Sequence, residues 1–193
     1  IVDFGASAFY NCTKLFYIED NITYLKNTTA DGENKYFAVA DADSSITSAN
    51  IKTGCKVILP SAFSGCGSLQ NITIPEGITF IGDDAFSSTS ITDLVIPEGV
   101  TTIGTTAFDF VSELTTITLP SSIKSIGGAA FENCSNIENV YYNGSIEDWI
   151  EIEFGYYGTA VGESNPLYCA PNFYINNTLV SSLTIPEGVS KIC

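Results

Sequence analysis

IPEGITFIGDDAF, residues 74–86, and IPEGVTTIGTTAF, residues 96–108, are two copies of one sequence motif that decides the fold of this chain. The motif ends with an Ala-Phe pair that recurs along the sequence. Its phenylalanines are Phe9, Phe63, Phe86, Phe108 and Phe131, and the last four lie 23, 22 and 23 residues apart. A fixed period of this length predicts a repeat protein in which each copy is one structural unit.

Each repeat contains two short extended segments. Ile72 and Ile74 follow the period-2 pattern of a strand, and Pro75 ends that strand because proline cannot donate to a ladder. The second segment returns from Ile78 to Gly82. One unit cannot bury its apolar side, whereas stacked units cover one another. The chain is therefore predicted to be a single domain over residues 1–193, a mainly β repeat solenoid with short parallel strands and about seven to eight rungs. The four repeated phenylalanines are predicted to form one internal column.

Two segments interrupt the period. Residues 21–45 are predicted to form a hairpin-like insertion that turns at Asp31-Gly32. Residues 143–180 are predicted to be a longer insertion, rich in aromatic and acidic residues. IPEGVSKI, residues 185–192, predicts a further rung. Because the chain has no Met and starts and stops inside repeats, we expect it to be a fragment of a longer protein.

The repeats resemble the BspA-like, or treponemal-type, leucine-rich repeat surface protein family. The residues that carry the likeness are LTTITLPSSIKSIGGAAFENCSNIENV, 114–140, and their copies. Residues 144–154 and 165–189 also resemble spacers found between such repeats. The resemblance implies a curved, right-handed leucine-rich-repeat solenoid at a cell surface or outside the cell, used for adhesion or protein binding. The resemblance does not imply a particular ligand, and a host or matrix protein is the partner we expect.

The charge excludes several kinds of partner. The chain carries 22 acidic residues, seven lysines and no histidine, for a net charge of −15. Nucleic acids and anionic membranes need a basic surface, so neither is expected as a partner. The sequence also lacks an apolar run of about 18 residues, so no membrane insertion is expected within it. A protein partner with a basic surface fits this charge best.

The six cysteines are predicted to be reduced. Three of them share one inward repeat position with Thr89 and Val111, namely Cys12, Cys66 and Cys134. Cys66 and Cys134 are three rungs apart, roughly 14 Å at the spacing of strands, whereas disulfide Cα atoms lie within about 7 Å. Buried small side chains are the preferred interpretation, with Cys55 and Cys169 expected to be similar. Without His or Cys-x-x-Cys, neither a metal site nor a cofactor is expected.

Catalysis is not expected. Without His, Ser-His and Cys-His arrangements are impossible in this chain. Four acidic residues surround Trp149, namely Glu147, Asp148, Glu151 and Glu153. Paired carboxylates near an aromatic ring suggest a glycosidase, but the preferred interpretation is a solvated acidic face. Ser145-Ile146-Glu147-Asp148 also fits a helix capping box.

Two candidate binding surfaces follow from the pattern. The first comprises outward strand positions, predicted to line the concave face: Asn71, Thr73, Asp93, Val95, Thr116, Thr118, Asn139 and Tyr141. The alternative is that threonine is simply a good strand residue. The second candidate comprises aromatics of the later insertion, including Trp149, Tyr156 and Tyr157, which could instead form a satellite core. The function predicted is a non-catalytic protein-binding module. A carbohydrate-binding surface built from these aromatics, or a passive spacer, are the alternatives.

Overall fold

The computed structural model describes residues 16–28, 34–156 and 164–182. Its elements in chain order are β1 (Phe16–Glu19), β2 (Ile22–Thr28), β3 (Asn34–Ala42), β4 (Ser48–Asn50), β5 (Val57–Ile58), β6 (Asn71–Thr73), β7 (Phe80–Ile81), β8 (Asp93–Val95), β9 (Thr102–Ile103), β10 (Thr116–Leu119), β11 (Ser125–Ile126), β12 (Asn139–Tyr142), α1 (Ile146–Ile150), β13 (Glu153–Phe154), β14 (Asn172–Ile175) and β15 (Thr178–Leu179). A 3₁₀ turn spans Pro166–Tyr168.

The strands build two sheets along a solenoid. The first sheet has the order β1-β2-β3-β5-β7-β9-β11-β13. The second sheet has the order β15-β14-β12-β10-β8, and the separate pair β4-β6 continues it, since β6 lies next to β8. Each turn of the solenoid passes through one strand of each sheet, and neighbouring turns pair in parallel. The repeat period therefore becomes a ladder of backbone hydrogen bonds from turn to turn.

The described residues form about five turns, from β4 and β5 to β12 and β13. That is fewer than the seven to eight rungs expected of the whole chain. The rung expected around Phe9 and the one expected at 185–192 both lie outside the described residues. The predicted class, a mainly β parallel repeat solenoid, is confirmed.

The phenylalanine column is also confirmed. Phe63, Phe86, Phe108 and Phe131 are all buried. Successive ring centroids lie 5.0, 5.3 and 5.4 Å apart, and the rings are nearly parallel. One ring per turn therefore stacks on the next, because the parallel register repeats the same position once per rung.

The two segments that interrupt the period also supply strands of the solenoid. Within residues 21–45, β2 pairs antiparallel with β3, and β3 then pairs in parallel with β5. The Asp31-Gly32 turn itself lies outside the described residues. Within residues 143–180, β13 joins the first sheet beside β11, and β14 joins the second beside β12. The later segment is thus part of the stack, with helix α1 inserted into one turn.

The inward cysteine position is confirmed as a core position. Cys66, Thr89, Val111 and Cys134 are all buried there. All three polar groups donate to carbonyls: the Cys66 thiol to Asp43 O at 3.7 Å, the Thr89 hydroxyl to Phe86 O at 2.9 Å and the Cys134 thiol to Phe108 O at 3.0 Å. Cys55, Cys66 and Cys134 are free thiols, and burial raises the pKa of each.

Cys169 differs from this expectation because it is exposed. It follows the short 3₁₀ turn at Pro166–Tyr168, outside the strand positions that face the core. Cys12 and Cys193 lie outside the described residues.

Candidate binding surface

The second sheet presents one face to the core and one to solvent. In β8, Leu94 is buried between the exposed Asp93 and Val95. β10 and β12 alternate in the same way, with Ile117 and Val140 inward. This alternation follows from the period-2 geometry of a strand, and it turns every second side chain toward solvent.

Parallel pairing sorts these outward side chains into two rows that cross the strands. The polar row is Asp93, Thr116, Asn139 and Asn172. The tyrosine row is Val95, Thr118, Tyr141, Tyr174 and Leu179. Six of the residues predicted from sequence therefore come together on one face, and the structure adds Asn172, Tyr174 and Leu179.

The tyrosine row forms an aromatic and apolar strip on this face. The rings of Tyr141 and Tyr174 stack with centroids 4.5 Å apart and planes 14° apart. At the two ends of the row, Val95 is 63% exposed and Leu179 is 50% exposed. Such large apolar side chains, aligned in register on one sheet, are unusual for a surface with no partner.

In each strand, the residue of the polar row comes two positions before the residue of the tyrosine row. The Asn172 side-chain amide donates to Asn139 Oδ1 at 3.2 Å across two neighbouring strands. At the other end, the Thr92 hydroxyl donates to Asp93 Oδ2 at 2.9 Å. These bonds hold donors and acceptors in fixed positions beside the tyrosine row.

Toward the N-terminus, the side chains on the same face are small and polar. Asn71 and Thr73 are exposed on β6, where they lie opposite Ser48 and Asn50 of β4. These two candidates therefore extend the outward face without adding aromatic surface. The large side chains concentrate on β12, β14 and β15.

Trp149 is not on the surface, so the prediction that it contacts a partner needs correction. It is 6% exposed and packs against Tyr142, Phe154 and Phe173, with ring centroids 5.1, 5.8 and 4.7 Å away. Helix α1 turns the indole inward to cover the core between the two sheets. Trp149 belongs to the main hydrophobic core of the solenoid, so it is neither a surface residue nor part of a separate satellite core.

The remaining aromatic candidates of this segment are separate from the tyrosine row. Tyr156 is 69% exposed and follows β13 of the first sheet. Tyr157 lies outside the described residues.

Among the acidic residues around Trp149, Asp148 is held by the helix cap. Ser145 is the N-cap of α1, and the Asp148 backbone N–H donates to its hydroxyl at 3.1 Å. The Asp148 carboxylate accepts from the Ser145 hydroxyl and from its backbone N–H, which lowers the pKa of Asp148. The capping box is therefore confirmed, and it gives Asp148 a local structural role. Among the described residues, no group of three or more His, Cys, Asp or Glu could hold a metal ion.

The surface is strongly acidic along most of the solenoid. Residues 57–156 contain thirteen acidic residues and one lysine, Lys124. Nearer the N-terminus, the Lys26 ammonium lies 3.4 Å from the Tyr17 ring centroid. Lys52 pairs with Glu19 and Asp20, each at 2.9 Å. Both of these lysines are near the N-terminus, so the later turns keep a large negative charge.

The fold and this surface define a class of protein: a parallel β solenoid of leucine-rich repeats that presents a sheet of variable side chains. Six copies of the BspA type leucine rich repeat region match residues 33–157. The chain belongs to this family.

A solved structure of a bacterial protein shares the fold. A leucine rich cell surface protein from Faecalibacterium prausnitzii A2-165 is 26% identical, with a TM-score of 0.56 over 72% of this chain and 42% of that one. The chain thus spans less than half the length of that protein. The T. pallidum leucine rich repeat protein is 21% identical over 68% of this chain and 83% of that one, with a TM-score of 0.39. The pneumococcal vaccine antigen PcpA is 17% identical over 69% of this chain and 50% of that one, with a TM-score of 0.41.

No curated protein matches the chain. Within the three described ranges, no helix is long and apolar enough to cross a bilayer.

Proposed function

We propose that this chain is a non-catalytic protein-binding module of a cell-surface or secreted protein, and that it binds through the tyrosine row. The observation that carries this proposal is the alignment of Val95, Tyr141, Tyr174 and Leu179 on the solvent side of one hydrogen-bonded sheet. The packing of the core does not require large side chains at these outward positions. A binding role accounts for them.

The chemistry of the row suits a protein partner. Tyrosine offers a large apolar ring with a polar tip, and it is enriched among the residues that dominate interface energies. Strands paired on both sides hold Tyr141 and Tyr174 in place before any partner arrives. A rigid surface loses less conformational entropy on binding, so more of the contact energy appears as affinity.

The charge around the row favours a partner with a basic surface. Asp93 belongs to the polar row, and Glu113 and Glu138 are exposed just before β10 and β12. A host or matrix protein with lysine or arginine around an apolar patch fits both features. Long-range attraction between such surfaces weakens with salt, so association should slow as ionic strength rises.

The two alternatives receive less support. The carbohydrate-binding hypothesis depended on exposure of both Trp149 and Tyr156, and Tyr156 is 69% exposed whereas Trp149 is buried. The spacer hypothesis expects a smooth polar surface, whereas Val95 and Leu179 are at least half exposed at the two ends of a row that contains two stacked tyrosines.

A location at the cell surface and the absence of catalysis have indirect support. The Faecalibacterium prausnitzii protein of the same fold is described as a cell surface protein. This chain has no histidine, and Asp148 of its acidic cluster belongs to a helix capping box.

The test is a binding screen of the chain against fibronectin, laminin and collagen by biolayer interferometry. For the strongest binder, the double variant Y141A/Y174A should lose about thirtyfold in affinity, as interface hot spots of about 2 kcal/mol do. The matched control Y156A/Y168A removes two exposed tyrosines that lie outside the row. Equal losses in both double variants would contradict the proposal. Failure of every matrix protein to bind would favour the spacer.

A further inference from the structure

A second surface lies on the first sheet, away from the tyrosine row. An open groove of about 390 Å³ crosses β7, β9, β11 and β13. One wall carries the outward side chains of these strands, Phe80, Thr102, Ser125 and Glu153, which the parallel register aligns. The groove therefore runs along the solenoid axis and not along a strand.

The floor of the groove is a row of glycines. Gly104, Gly127 and Gly155 follow the inward residues of β9, β11 and β13. A Cβ atom at Gly155 would lie 2.6 Å from Gly128 N, and one at Gly127 would collide with the backbone of Gly104 and Thr105. The sequence thus keeps side chains out of the floor because neighbouring turns approach too closely. The depression above the floor is a consequence of this packing.

The groove has an acidic group at each end. Asp83, just after β7, accepts a hydrogen bond from Thr105 N at 2.8 Å, which fixes its carboxylate at one end. Glu153 lies at the other end, level with Thr102, which is two strands away and three residues before Thr105. Between them stand the hydroxyls of Thr102 and Ser125, 3.3 Å apart. None of the described residues that line the groove is a lysine.

The floor offers few free donors to a ligand. The N–H groups of Gly104, Gly127 and Gly155 each donate to the carbonyl of an inward residue in the preceding turn. Recognition must therefore come from the carboxylates, the hydroxyls and the Phe80 ring. Carboxylates accept hydrogen bonds and attract cations, so the groove fits a ligand that carries positive charges at its two ends.

We propose that this groove binds an extended basic segment of a partner protein, with one Lys or Arg near Asp83 and another near Glu153. The Asp83 carboxylate lies beside Thr105, so the path to Glu153 crosses two strand spacings of about 4.8 Å and three residues of about 3.3 Å, which is about 14 Å on the diagonal. In an extended peptide, residues i and i+4 point to the same side and lie about 13 Å apart. A Lys-x-x-x-Lys segment therefore matches the spacing of the two carboxylates. This site is independent of the tyrosine row and does not rest on its function.

The test uses the peptide Lys-Ser-Thr-Ser-Lys, blocked at both ends and labelled with fluorescein, in anisotropy titrations at low salt and at about 200 mM salt. We expect saturable binding that weakens with salt, and no binding of the peptide in which both lysines are glutamine. D83N/E153Q should lose about tenfold in affinity, because each substitution removes a charge partner. S125F should also lose binding, since its ring would fill the groove without changing the charge.

The matched control is D93N/E138Q, which removes two acidic charges from outside the groove. It should change the affinity by less than about twofold, since distant surface charges are screened. An equal loss in this control would show that the overall field of the chain, and not the groove, attracts the peptide. Full binding by S125F, or equal binding of the glutamine peptide, would also overturn the proposal. Y141A/Y174A should bind the peptide normally, which separates this site from the tyrosine row.

Discussion

At the scale of single residues, two positions in the left-handed backbone region recur in four successive turns, in addition to the turn glycines Gly54, Gly77 and Gly99. One holds Ser61, Asp84, Thr106 and Ala129, with φ between 52° and 60°. The other holds Gly65, Ser88, Phe110 and Asn133, with φ between 56° and 74°. These positions let the chain bend tightly around the stacked phenylalanines. Glycine and asparagine adopt this conformation readily, whereas a bulky side chain does so at a cost.

Phe110 adopts this conformation without gaining burial, because its side chain is 57% exposed. Phe110→Asn should therefore raise the free energy of unfolding by about 1 kcal/mol, since Asn tolerates the left-handed region. Asn133 already occupies the equivalent position one turn later. Urea unfolding followed by circular dichroism measures the change.

The control for this substitution is Tyr156→Asn, which replaces an exposed aromatic residue that has no positive φ. It should leave the stability within about 0.5 kcal/mol, as most surface changes do. A loss of stability in Phe110→Asn would mean that the phenylalanine ring makes contacts that outweigh the strain.

At the scale of elements, contact between turns depends on glycines that end the strands of the first sheet. Gly127 has no positive φ, so the close approach of the Thr105 and Gly104 backbone is what excludes a side chain there. Gly127→Ala should cost about 3 kcal/mol or more, since overpacking against backbone forces the turns apart. Thermal unfolding of the variant measures this loss.

Gly67 provides a matched comparison. A Cβ atom there would meet only Ser88 O at 3.8 Å and Gly65 O at 4.0 Å, which is ordinary contact. Gly67→Ala should be neutral or slightly stabilising, because alanine reduces the freedom of the unfolded chain. If both variants lost the same stability, close packing between turns would not be the reason for glycine at 127.

The sequence predicts these elements well wherever the period is intact. Inward positions such as those of Phe86 and Leu94 must be apolar in each turn. The spacing of apolar residues in the sequence therefore follows the turns of the solenoid and predicts the fold. The repeat period does not predict the elements where helix α1 lengthens one turn, because the spacing between equivalent residues is no longer regular there. Two signals remain there: Glu153-Phe154-Gly155 matches Ser125-Ile126-Gly127, and Asn172-Phe173-Tyr174 matches Asn139-Val140-Tyr141.

The candidate binding surface could be predicted only in part, for a physical reason. Register alone determines that Val95, Thr118 and Tyr141 face outward together. Tyr174 and Leu179 join them only because β14 pairs with β12 across an intervening helix and 3₁₀ turn. The burial of Trp149 depends on how α1 packs against Tyr142 and Phe173, which no local pattern specifies.

At the scale of the whole molecule, the buried core makes stability sensitive to alkali. Burial raises the pKa of Cys55 from its ordinary value of 9.0 to about 11, and that of Cys134 to about 12. It raises the pKa of Tyr142 from 10.0 to about 12. In each case the unfolded chain ionises first, so the stabilisation is complete below the unfolded pKa and is lost as pH rises through the folded one.

The free energy of unfolding should therefore fall between about pH 9 and about pH 12, by up to about 1.4 kcal/mol per pH unit for each group. Urea midpoints measured at intervals from about pH 7.5 to about pH 11 test this. Cys134→Val removes one of the groups, and Val111 fills the same position one turn earlier. The variant should lose stability less steeply, and a flat profile in the parent protein would contradict the assignment.

The central claim is that a partner protein covers the tyrosine row. Hydroxyl-radical footprinting of the chain with its strongest-binding matrix protein measures it most directly, because oxidation reports the exposure of each side chain. Tyr141, Tyr174 and Leu179 should be protected in the complex, whereas Phe110 and Tyr168 should oxidise as in the free chain. Unchanged oxidation of Tyr141 and Tyr174, with protection elsewhere, would contradict the claim.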